Sequence, residues 1–184
     1  MLCRRFMSLA MAAGLAALSL VLIPAEAAAQ WKDIECSASK IEMPGMKCRQ
    51  SPSDSGSSGT CTFENYVTFG TNAGVYFNAF IYVNKISRCY VQATPAARFE
   101  QSMKGNSWIK TNGKDFTEVR AFQGGYAMNF ATNNNRKCVA YYQPGPAHGS
   151  GYAYTQNGYF CGPANRDFSD AQLAEQLASL KITP

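Results

Sequence analysis

Histidine is almost missing from this chain: His148 stands alone among 184 residues. A single imidazole argues against a histidine-rich metal centre and leaves one side chain for general-base chemistry near neutral pH. No two cysteines stand in a Cys-x-x-Cys spacing, which removes the thiol signature of a zinc or redox motif. Phosphate-binding loops are missing too, since Gly56-Ser57-Ser58-Gly59 lacks the following Lys and helix. Charged residues make up only 16% of the chain and are scattered. The clustered basic patch of a nucleic-acid binder is therefore absent. Beyond residue 29 no apolar run is long enough to cross a bilayer. No metal, cofactor, nucleic acid or membrane span is expected of the mature chain.

What is present begins with a leader. Arg4 and Arg5 precede an apolar run from Leu9 to Ile23, Pro24 breaks it, and Ala25-Glu26-Ala27-Ala28-Ala29 follows. This order is that of a secretory signal peptide at 1–29, cleaved after Ala27 or Ala29. A membrane anchor needs about 20 apolar residues, more than this run supplies. Cys3 precedes the run, against a lipoprotein, and Phe6 follows Arg5 directly, against a twin-arginine signal. The expected destination is periplasmic or extracellular. Residues 30–184 then read as a single secreted domain, large enough to bury about 70% of its unfolded surface. Its charge falls from +5 to +4 once Arg4, Arg5 and Glu26 leave.

Six cysteines survive cleavage: Cys36, Cys48, Cys61, Cys89, Cys138 and Cys161. An even count in an exported chain reads as three disulfides, with 15 pairings open to it. Cys138 and Cys161 fall in neighbouring expected strands and are expected to pair. Two of Cys36, Cys48 and Cys61 are expected to pair as well, leaving the third for Cys89. Each bridge would stabilise the fold by roughly 2–4 kcal/mol.

Strand patterns start at Cys61. Val75, Phe77, Ala79, Ile81 and Val83 alternate onto one face, with Tyr76, Phe80 and Tyr82 on the other, so both faces of this strand look covered. Cys89 to Val91 reads as part of a neighbour. Asn112-Gly113 fits a tight hairpin turn. Further strands are expected at Phe116–Phe122, Tyr126–Ala131, Lys137–Tyr142 and Tyr152–Cys161. Residues 51–60 are a low-complexity Ser/Gly stretch and read as a mobile loop. One helix is expected from Pro95 to about Lys104, capped by Thr94. A second runs from Asp170 to about Leu180, where Ser169 and Gln172 make a capping box and Leu173, Leu177 and Leu180 form the buried stripe. The fold class is α+β: a twisted antiparallel sheet of about five to seven strands with two helices packed on one face, held by disulfides. A β-sandwich or barrel with peripheral helices is the alternative.

No catalytic set emerges. His148 lies in a Pro/Gly-rich loop, and Ser150 is too close in sequence to form an ordinary nucleophile–base pair with it. Glu64, Glu100, Asp115 and Glu118 are the carboxylates to weigh for a hydrolase. Asp115 and Glu118 would sit on opposite faces of an extended strand. Aromatic crowding is the stronger signal: Tyr141, Tyr142, Tyr152, Tyr154, Tyr159 and Phe160 surround the 144–151 loop. Tyrosine joins an apolar body to a polar tip, a combination common at interfaces. The expectation is a non-catalytic binding domain for a macromolecule or glycan of the cell envelope, using His148, Ser150, Tyr152, Tyr154 and Tyr141. A small periplasmic hydrolase using His148 or carboxylates is the alternative.

Ser150-Gly151-Tyr152-Ala153-Tyr154 also fits a Ser-Gly-x-x-Tyr pattern. It resembles the loop motif of periplasmic lysozyme inhibitors over these five residues. The resemblance implies a protruding loop whose Ser150 and Tyr154 enter the lysozyme cleft. Those inhibitors meet a basic enzyme, and the positive charge of this chain works against that attraction.

Overall fold

A computed structural model describes residues 31–51, 61–72, 74–85, 88–164 and 168–184. The leader expected at 1–29 lies outside the described residues. So does the loop expected at 51–60, except for Ser51, which is buried and whose N–H meets the Asn65 carbonyl at 3.0 Å. From the N-terminal side come β1 (Lys32–Ile34), a 3-10 turn (Cys36–Ala38), β2 (Ile41–Glu42) and β3 (Lys47–Gln50). Two ten-residue strands follow, β4 (Phe63–Asn72) and β5 (Val75–Asn84), then α1 (Ala96–Gly105) and α2 (Ser107–Asn112). β6 (Gly113–Lys114), β7 (Arg120–Phe122), β8 (Gly125–Thr132) and β9 (Arg136–Pro144) lead to a small ribbon of β10 (Ala147–His148) and β11 (Gly151–Tyr152). β12 (Tyr154–Ala164), α3 (Asp170–Ala178) and β13 (Lys181–Ile182) close the described chain.

Nine of these strands form one antiparallel sheet in the order β1-β3-β4-β5-β12-β9-β8-β6, with β7 also paired to β8. The sheet is larger than the five to seven strands the sequence suggests, because the short β1, β3, β6 and β7 all join its ends. β2 pairs with β13 in a separate ribbon.

The alternation read in the sequence explains the layers. Phe77, Ala79, Ile81 and Val83 of β5 join Val139, Tyr141 and Phe160 in one core. Leu173 and Leu177 of α3 pack into that same core. Their sheet neighbours Cys138, Ala140, Tyr142 and Tyr159 point the other way, into a second core with Phe99, Met103 and Ile109 of α1 and α2. The helices thus cover opposite faces, not one. The cause is composition: β5, β9 and β12 are apolar at odd and even positions alike, and each face needs its own cover.

Disulfides join Cys36–Cys48, Cys61–Cys89 and Cys138–Cys161. The last pair stands directly opposite in the β9–β12 register.

Several local expectations change. Pro95, not Thr94, occupies the cap of α1, and it makes no side-chain capping bond. The Thr94 N–H instead meets the Tyr142 hydroxyl at 2.9 Å, which pins the helix start to β9. Asn112-Gly113 is no hairpin turn. Asn112 ends α2, whose start is capped by the Asn106 side chain accepting from the N–H groups of Trp108 and Ile109. Gly113 is needed where the helix gives way to β6, because a Cβ there would stand 2.7 Å from the Ile109 carbonyl oxygen. The strand expected over Phe116–Phe122 shrinks to Arg120–Phe122; ahead of it Asp115 adopts φ 53°. Val91 makes a lone bridge to Tyr152 rather than a strand with Cys89.

Candidate functional site

The tyrosines offered by the last two long strands are mostly core. Tyr141, Tyr142, Tyr159 and Phe160 are all buried. Tyr141 is 0% exposed, its hydroxyl meets no partner, and burial pushes its phenol pKa up. Its expected place on a binding surface is therefore corrected: it belongs to the α3-side core. Around Tyr141, Tyr142, Tyr159 and Phe160, β9 and β12 lie inside a sheet covered on both faces, so alternation does not expose these rings.

The remaining chosen residues gather around the β10–β11 ribbon. His148 pairs across it with Gly151, and Ala147 with Tyr152. Gly149, at φ 58°, and the exposed Ser150 form its tip. Tyr152 exchanges backbone hydrogen bonds with Val91 at 2.8 and 2.9 Å. Tyr154 is not at the tip. Its ring lies so close to Gly145 that a Cβ there would come within 2.7 Å of a ring carbon. The ring also packs against the α3-side core, and burial raises its pKa.

The carboxylates do not converge. Glu64 is buried on the α3 side, accepting from the Tyr66 hydroxyl at 2.8 Å and pairing with Lys85 at 3.1 Å. Burial first, and then Glu64, push Tyr66 up to about 12. Glu100 pairs with Lys104 one helical turn away, and Asp115 and Glu118 are exposed. Among the described residues no group of three or more His, Cys, Asp or Glu side chains is placed to hold a metal ion.

The sheet face beside α1 and α2 carries a different feature. Four clefts of about 380, 370, 300 and 520 Å³ follow one another along β4, β5 and β12. Neighbouring clefts share walls: Tyr76 and Trp108 belong to the first two, Phe80 and Asn106 to the second and third, and Tyr82 and Asn157 to the last two. Side by side, with these shared walls between them, they form a segmented groove. From Tyr76 to Tyr82 it follows six residues of β5, roughly 20 Å of strand.

Rings and amides both occur along its floor. In the β4–β5 register, Thr71, Phe69, Val67 and Asn65 stand opposite Tyr76, Asn78, Phe80 and Tyr82. β12 adds Asn157 opposite Phe80 and Tyr159 opposite Asn78. The rings hold one another in place. Trp108 stacks against both Tyr76 at 5.2 Å and Tyr159 at 4.9 Å, which stand 6.0 Å apart, and Tyr82 stacks on Phe63 at 4.9 Å. Trp31 meets Phe80 edge-on at 5.9 Å and is the exposed large apolar side chain among the described residues, at 36%. Beneath them Asn78 carries a buried amide oxygen that no protein group meets.

Arg49, Arg98 and Arg136 line the groove, whereas among the described residues no Asp or Glu lines any of its four clefts. Arg49 lies over the Phe69 ring at 4.8 Å and pairs with the exposed Asp33 at 2.5 Å. Arg136 donates through Nη1 to the Gly74 carbonyl at 3.1 Å.

The chain matches no family model, no curated protein and no solved structure. Among the described residues no helix is long and apolar enough to cross a membrane. With the three disulfides, this is compatible with an exported protein.

Proposed function

We propose that the chain is an exported, non-catalytic binding protein whose aromatic groove holds an extended glycan. The observation that carries this reading is the row of four adjoining clefts over a floor that holds both aromatic rings and side-chain amides. Sugar rings offer C–H faces to aromatic planes and hydroxyls to amides, so such a floor suits them at every step. A peptide is served less well. Along the floor the backbone groups of β4, β5 and β12 are engaged in their own ladder, so an extended peptide would find no strand edge to pair with. The expected macromolecular or glycan partner is kept, but the surface moves from the Tyr141–Tyr154 region to the β4–β5 face.

Trp31 and Trp108 are the two tryptophans of the chain, and both line the groove. Ligand entry should change intrinsic tryptophan emission. A panel of oligosaccharides differing in linkage and charge is expected to contain members that shift it. Trp31→Ala should weaken their binding about three- to tenfold, the worth of one aromatic contact. Its stability should change by less than about 1 kcal/mol, because the ring is partly exposed. If no member perturbs tryptophan emission or the amide NMR signals of β4 and β5, the groove is not a glycan site.

A further inference from the structure

The charges around the groove specify its occupant more narrowly. Resting on the reading of the groove as a glycan site, we infer that the glycan is acidic, a linear chain bearing carboxylates, and that Arg98 and Arg136 recognise it from the two ends.

The chemistry is one-sided. Arg136 stands at the Tyr76–Trp108 end and Arg98 at the Tyr82–Tyr90 end, with Arg49 between them beside Phe69 and Trp31. Among the described residues no acidic side chain lines the clefts to neutralise them. Asp33 pairs with Arg49 from outside the lining, so Arg49 is the least available of the three. Arg136 spends Nη1 on the Gly74 carbonyl, which orients the guanidinium and leaves Nε and Nη2 for an acceptor. Arg98 is exposed on the first turn of α1 and has no ion pair among the described residues. A guanidinium presents a planar fork of donors that matches a carboxylate in two parallel hydrogen bonds. A neutral glycan could accept hydrogen bonds from these cations through its hydroxyls, but it lacks the charge and the two-oxygen geometry that a carboxylate offers them. Arg136 and Arg98 line clefts at opposite ends of the stretch from Tyr76 to Tyr82, about 20 Å of strand, which also bears on ligand length. A chain must span several sugars to reach both.

The test uses the whole mature protein and matched probes: short linear uronic-acid oligomers of several linkages, each beside its carboxyl-reduced, neutral counterpart. Binding is read by tryptophan emission and calorimetry. At least one acidic oligomer should bind about tenfold or more tightly than its reduced partner. That preference should shrink as salt is raised. The variant Arg98→Gln/Arg136→Gln should bind the acidic and reduced forms alike while still binding. Circular dichroism should show the fold unchanged, as both substitutions lie at partly or fully exposed positions. If acidic and reduced oligomers bind equally, or the double variant keeps the preference, the acidic assignment is overturned and the glycan groove stands. If no oligomer of either kind binds, both readings fall.

Discussion

Tyr141 separates a ring used for packing from a ring used for recognition. It is fully buried between β8, β9, β12 and the α3-side core, and its hydroxyl has no partner. A buried hydroxyl with no hydrogen bond carries its desolvation cost uncompensated, about 1–3 kcal/mol. Tyr141→Phe removes the oxygen and keeps the ring. Denaturant unfolding should show the variant equal to the parent or more stable by about 1 kcal/mol, and oligosaccharide binding should not change. A loss of binding would return Tyr141 to the site. The sequence displays all these tyrosines equally. What sorts them is how many strands flank their own strand, and local pattern does not contain that number. Trp31, Phe69 and Phe80 were legible only as apolar residues. The hint available was their company: Asn65, Asn78 and Asn157 share their face, and a sealed core seldom takes three amides on one face.

At the scale of elements, local signals did best where the chain alone determines the geometry. The capping box of α3 forms as read, with the Gln172 N–H donating to Ser169 Oγ at 3.3 Å and the Ser169 N–H donating to Gln172 Oε1 at 2.8 Å. Ser169→Ala should cost about 0.5–2 kcal/mol, measured by denaturant unfolding. The next residue extends the argument to pH. A hydrogen bond from Arg120, aided by its charge, holds the Asp170 carboxyl below the usual 3.8. A carboxylate with a lowered folded pKa stabilises above its unfolded value and loses that contribution as pH falls through the folded one. Stability should therefore drop more steeply below about pH 4 in the parent than in Asp170→Asn. The pair is exposed, so the difference in slope should be small. α2 escaped notice because Gly105-Asn106 reads as a helix stop. Asn106 does end one helix, and its side chain starts the next. Asn112-Gly113 likewise carries the composition of a hairpin turn while serving a helix end, since both structures favour the same two residues.

For the whole molecule, periodicity revealed an antiparallel sheet with helices, and it revealed that β5 is apolar on both sides. The distribution of helices over two faces follows from that alternation only when the strand order is known, and β5 meets β12 across a long stretch of chain. The disulfides tie distant parts of this order together. Cys61–Cys89 closes a loop of 28 residues around β4 and β5. Chain-entropy reasoning gives such a loop about 3–4 kcal/mol of stabilisation. Replacing both cysteines by serine should lower unfolding free energy by that order. Emission from Trp31 and Trp108 in the folded variant should stay close to the parent's, because the bridge lies outside the cleft walls. β5 itself has a registered partner along both edges, β4 on one side and β12 on the other. To reshape under a visitor it would have to unzip twice. Adjustment thus falls to the visitor: a straight, unbranched chain can settle, while a branch point meets a bed that does not yield.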